Sequence, residues 1–192
     1  VTTRWLDEAA AVRSGPQTAL AALILVLGCA GEDEREKPDP ALPIGEWTEL
    51  VGGDWTLTSG EETYLCAAKT LSHSIHVAGF RSIAAAGVHH SLLSLSDEPG
   101  PDGIAPCGSA AEGHRIVFAS GLGEGELSLP EGVAAPIPAG TRVILNLHLL
   151  NATAAPLSGR AATEVFLVGA HDVSQPAEVV LAGKAKELEV VP

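Results

Sequence analysis

The sequence predicts an all-β domain, and three observations carry that reading. Val, Leu, Ile and Thr gather in short runs, the runs are separated by turn formers, and no stretch has the apolar recurrence of a globular helix. Glycine and proline are abundant, 21 and 13 of 192 residues, and aromatics make up only 4 %. With a leader set aside, the chain has room for one core of ordinary size and not comfortably for two.

Two strands are expected between Trp47 and Leu71, around Trp55 to Thr58 and Thr63 to Lys69, joined through Ser59-Gly60. Ser74 to Phe80 reads as a third, with Ile75 and Val77 on one face and His76 on the other. The fourth runs from Val88 to Leu95, and Asp97-Glu98-Pro99-Gly100-Pro101-Asp102-Gly103 ends it with loop chemistry. Cys107 falls in that loop. Arg115 to Ser120 is a fifth, and the glycines at 121, 123, 125 and 132 mark a long irregular connection. Val143 to Leu150 is the clearest strand: Val143, Leu145, Leu147 and Leu149 form an apolar face, while Asn146 and His148 share the other. Ala162 to Val168 and Glu178 to Leu181 complete the set, with Lys184 to Val191 as a candidate edge. There is no internal repeat.

Residues 1–28 read as an export leader. The apolar run Ala19 to Leu27 is too short to span a bilayer, follows Arg4 and Arg13, and ends in Val26-Leu27-Gly28-Cys29. This resembles a bacterial lipoprotein signal, which predicts Cys29 as the lipidated mature N-terminus and a lipid-anchored location in the cell envelope, periplasmic or cell-surface. Residues 29–44 are charged and proline-rich with little to bury, so they are expected to be a disordered tether. The folded domain is then 45–192. A formal net charge of -13 argues against nucleic acid or an anionic membrane surface as partner. The membrane is reached only through the anchor.

The histidines carry the functional signal. His89-His90 and His148 sit in apolar, β-prone runs, where a buried ring without a partner costs roughly 1–3 kcal/mol. Their convergence on one metal ion would use those nitrogens, and three imidazoles suit copper or zinc. Neighbours on a regular strand point to opposite faces, so a shared ion requires a bulge, a twist or a strand end at the doublet. The plainer alternative is one core histidine bonded to a carbonyl and one solvated. His148, opposite an apolar face, is expected to be displayed rather than buried. Asn146, on its face, is the candidate outer partner that orients a ring. His73 and His76 have ligand spacing only for a helix, and His114 and His171 read as surface loop residues.

Three cysteines leave Cys66 and Cys107 once Cys29 is assigned. Export permits their oxidation, and a bridge would stabilise by up to about 4 kcal/mol in the chain-entropy model. Two reduced thiols acting as metal ligands are the alternative, without Cys-x-x-Cys spacing. No phosphate loop is present, since Gly121 to Gly125 carries acidic residues where a phosphate would sit, and no Gly-x-Ser-x-Gly elbow occurs. Asn151-Ala152-Thr153 has the form of a glycosylation sequon and reads as a turn.

Four segments in order resemble the ascorbate-dependent copper type II monooxygenases, the family of peptidylglycine α-hydroxylating and dopamine β-monooxygenases. They are Thr63-Tyr64-Leu65-Cys66, Val88-His89-His90, Leu129-Pro130-Glu131-Gly132-Val133 and Leu147-His148, spread over roughly residues 55–170 of the chain. The resemblance is to the N-terminal half of that catalytic core. It implies an antiparallel jelly-roll sandwich of eight or nine strands, one copper ion held by His89, His90 and His148, and a Cys66–Cys107 disulfide. It further implies ascorbate as electron donor and electron delivery to a second, oxygen-activating copper. That second site uses a His-x-His pair and a Met. This sequence contains no Met and no His-x-His, so the second site is expected to be absent, lost or supplied by another chain, and the catalytic residues are unknown. The rivals are a non-catalytic copper-binding lipoprotein and a metal-free interaction sandwich.

Overall fold

The computed structural model describes residues 41–109, 114–122 and 125–180. The expected leader, Cys29, residues 29–40 of the tether and the edge strand at 184–191 lie outside them. Among the described residues there is no α-helix, and eleven strands form two sheets.

One sheet contains β1 (Trp47–Leu57), β10 (Leu157–Leu167), β3 (Ile75–Ala84), β8 (Val133–Ile137) and β11 (Gln175–Pro176) in that order, with β7 (Glu126–Ser128) also paired to β3. The other runs β5 (Gly103–Pro106), β2 (Glu62–Thr70), β9 (Arg142–Leu150), β4 (Val88–Ser96), β6 (Arg115–Ser120). β1 to β4 alternate between the two sheets, and β8 to β10 do so again. Every pairing is antiparallel except the short contact of β11 with β8. This interleaving is the jelly-roll arrangement, in which two antiparallel sheets face one shared core.

β9 shows why the chain folds this way. Val143, Leu145, Leu147 and Leu149 point inward and are at most 1 % exposed, as their alternation predicts. Phe80 of one sheet stacks on Phe118 of the other at a centroid distance of 5.6 Å, so the layers are joined by ring packing as well as aliphatic burial. Each such fully buried side chain contributes roughly 1.5–3 kcal/mol.

Several elements differ from expectation. β1 starts at Trp47 rather than near Trp55. The irregular stretch after Gly121 contains β7 and β8, and β5 precedes Cys107. Glu178 to Val180 form no strand. Pairing to β8 is taken instead by Gln175–Pro176, with Ala177 N–H donating to the Ala134 carbonyl. Leu42, within the expected tether, packs against the core, so the domain begins a few residues earlier than 45.

Candidate metal centre

The site lies on the outer face of the five-stranded sheet, where β2, β9 and β4 run side by side. His90 is paired directly with His148, and His148 with Tyr64, so three rings share one row across the sheet. The register of β4 on β9 shifts between Val88 and His90. His89 is the extra residue of that bulge, and the bulge brings its ring to the same side as His90, as a shared ion requires.

Gly87 sets up this geometry. Its φ is +107°, a conformation open to glycine, and a Cβ there would lie 2.7 Å from the Trp55 ring and 2.9 Å from Leu157. The Leu150 N–H donates to the Gly87 carbonyl and the Val88 N–H to that of Ala85. The turn is thereby fixed against β9 immediately before the doublet.

Three imidazoles converge. His89 Nδ1 lies 3.1 Å from His90 Nδ1, which lies 3.4 Å from His148 Nδ1, and one nitrogen from each ring falls within 4.8 Å of the others. Ring centroids are 4.8–5.3 Å apart, with planes at 63–69° to one another. Metal–nitrogen bonds of about 2.0 Å would subtend angles of about 100° and about 115° at the 3.1 and 3.4 Å separations, values normal for a three- or four-coordinate ion. The widest separation in the group, up to 4.8 Å, exceeds the roughly 4.0 Å that two such bonds span, so one ring must move inward for all three to bind one ion. The group could hold a metal ion, and its donor set is imidazole alone. The His90 pKa is held below the usual histidine range, first by burial and then by the neighbouring rings of His148 and His89. That keeps His90 in the neutral form that binds metals.

His148 is 8 % exposed, a correction to the expected displayed ring. β9 is central in its sheet and its outer face is covered too. Tyr64 stacks on His148 at a centroid distance of 4.4 Å and 7° between planes, and Glu62 Oε1 lies 2.6 Å from His148 Nε2. His90 is half-buried and His89 exposed, so the site opens outward on the side of the doublet.

Cys66 and Cys107 form a disulfide with a Cα–Cα distance of 5.7 Å, which removes them as thiolate ligands. Asn146 does not orient an imidazole. Its Nδ2 donates to the Gly108 carbonyl at 2.9 Å and approaches both disulfide sulfurs, and its Oδ1 is buried without a partner. Asn146 therefore ties β9 to the bridge, and the outer partner of the site is Glu62. Glu62, Tyr64 and Cys66 alternate along β2, a pattern visible in the sequence once β2 is known to lie beside β9.

The remaining histidines do not join the group. His73 is exposed and bonded to Ser72, His76 is half-buried in the other sheet, and His171 is exposed in a turn of 3₁₀ helix over Ala170–Asp172. His114 is half-buried in a cleft with Arg142 and the disulfide rather than on open surface. Asn151 is fully buried and bonds the carbonyls of Thr58 and Ala155, the turn expected of its sequon-like motif. No protein-family model matches the chain, and no curated protein does.

Proposed function

We propose that His89, His90 and His148 bind one copper ion and that this domain is an electron-transfer module of the copper monooxygenase type. The observation that carries the reading is the convergence of three Nδ1 atoms, two of them from adjacent residues made to share a face by a bulge. Among metals that accept imidazole, copper fits a site with no carboxylate or thiolate ligand and an exposed opening. Bound copper would supply a Cu(II)/Cu(I) couple; the chain's part is to hold three neutral rings and leave the His89 side reachable by a reductant such as ascorbate. The motifs behind the family resemblance support this. Tyr64 lies on His148, Cys66 enters the disulfide beside it, and the histidines of two other motifs form the three-imidazole group.

The sequence contains no Met and no His-x-His. Oxygen activation at a second copper of the family's kind therefore falls to residues this sequence does not supply. That composition favours a second reading, in which a lipid-anchored envelope protein stores or passes copper without acting on an organic substrate. Titration of the metal-free protein with copper should reach one equivalent, and His148→Ala should abolish it. Ascorbate should then bleach the Cu(II) paramagnetic signal, with reoxidation by an external acceptor. Stoichiometric binding without reduction would favour storage or transfer, and absence of binding after dialysis would leave a metal-free interaction sandwich.

A further inference from the structure

The residue nearest the site that is not a ligand is Glu62. It opens β2, pairs with Leu150 of β9, and has a side chain 58 % exposed, yet one carboxylate oxygen reaches His148 Nε2 at 2.6 Å. A carboxylate only accepts hydrogen bonds, so the proton of that contact belongs to the imidazole. A neutral imidazole has one N–H and one lone pair. With Nε2 protonated, the lone pair is on Nδ1, the atom turned toward His90.

We propose that Glu62 is a positioning residue: it locks His148 in the Nε2–H tautomer, presenting Nδ1 to the metal, and its negative charge biases bound copper toward Cu(II). This rests on the copper reading above only in its second half. Tyr64 holds the plane of the His148 ring by stacking, but a stacked ring can still flip about its long axis or carry its proton on either nitrogen. The Glu62 bond removes both freedoms, because a flip would set a carbon or a lone pair against the carboxylate. No equivalent partner contacts the outer nitrogens of His89 and His90 among the described hydrogen bonds, so His148 is the fixed ligand and the doublet adapts to it. Carboxylate–imidazole pairing also makes the ring a stronger donor, and a stronger anionic donor set favours the more highly charged oxidation state.

The test uses the whole protein with Glu62→Ala and Glu62→Gln. Nitrogen-15 NMR of the metal-free protein should show His148 as the Nε2–H tautomer, and Glu62→Ala should convert it to a mixture. With copper, Glu62→Ala should weaken binding about 10- to 100-fold. Glu62→Gln retains an acceptor oxygen and should keep the tautomer while lowering the Cu(II)-to-Cu(I) affinity ratio by about tenfold, a rise in potential of about 59 mV. A purely structural role would change neither the tautomer nor the potential. A wild-type Nδ1–H tautomer, or one unmoved by Glu62→Ala, overturns the positioning claim whether or not copper binds. Unchanged potential in Glu62→Gln overturns the charge claim. Failure of the wild type to take up copper sinks the metal reading and leaves the tautomer result standing.

Discussion

Gly87→Ala should damage both the fold and the site, and the size of the effect follows from two separate costs. The backbone at φ +107° lies outside the regions open to an L-residue, a strain of roughly 1–3 kcal/mol. The added methyl would sit 2.7 Å from the Trp55 ring, and Trp55 is itself buried in the core, so overpacking adds another 1–3 kcal/mol or so. The total, about 2–6 kcal/mol, is a large fraction of the roughly 5–15 kcal/mol that holds such a domain together. Gly60 is the internal control: its φ is +73° with nothing within 4 Å of the would-be Cβ, so Gly60→Ala carries only a backbone cost of about 1–2 kcal/mol. Urea unfolding followed by tryptophan fluorescence measures both. Equal losses in the two variants, or a smaller loss at Gly87, would refute the argument that the turn before the histidine doublet is wedged against Trp55.

Three further outcomes are expected. Replacing Cys66 and Cys107 together with Ser opens a loop whose ends are 41 residues apart, which should lower stability by about 4 kcal/mol. Metal stoichiometry in the folded double variant should be unchanged, because the sulfurs are not ligands. Leu147→Ala, at a position with no exposure, should cost about 2–5 kcal/mol in the same unfolding assay. Stability of the metal-free protein should fall on acidification. The folded His90 pKa lies below its ordinary value, so from about pH 6.5 downward the unfolded chain takes up that proton before the native state does, until the folded pKa is passed. His90→Asn should flatten that slope, and copper affinity should fall over the same range because three neutral rings are required.

The inner face of β9 was legible residue by residue, because an antiparallel strand with one face on the core writes its period into the sequence. The bulge was legible as a condition: two adjacent histidines can share an ion only where the alternation is broken. β5, β7 and β8 were not. Gly103–Pro106 is exposed throughout and ends in a proline, and Glu126–Ser128 is a three-residue edge segment. Neither buries a face, so neither carries alternation. Val133–Ile137 contains Pro136, which argues against a strand until it is seen near the sheet margin. Glu62 was hidden for another reason. Its position opposite the end of β9 depends on the β2–β9 register, which is set by inter-strand pairing rather than by local sequence. The burial of His148 was missed on similar grounds, since it comes from Tyr64 and the doublet covering the outer face.

The central claim is that three imidazoles surround one metal ion. X-ray absorption at the copper edge, on protein loaded with one equivalent and dialysed, tests it most directly. The account predicts nitrogen scatterers at about 2.0 Å with the outer-shell pattern of three imidazoles and no sulfur. A sulfur shell, fewer than three imidazoles, or a spectrum unchanged in His148→Ala would contradict it.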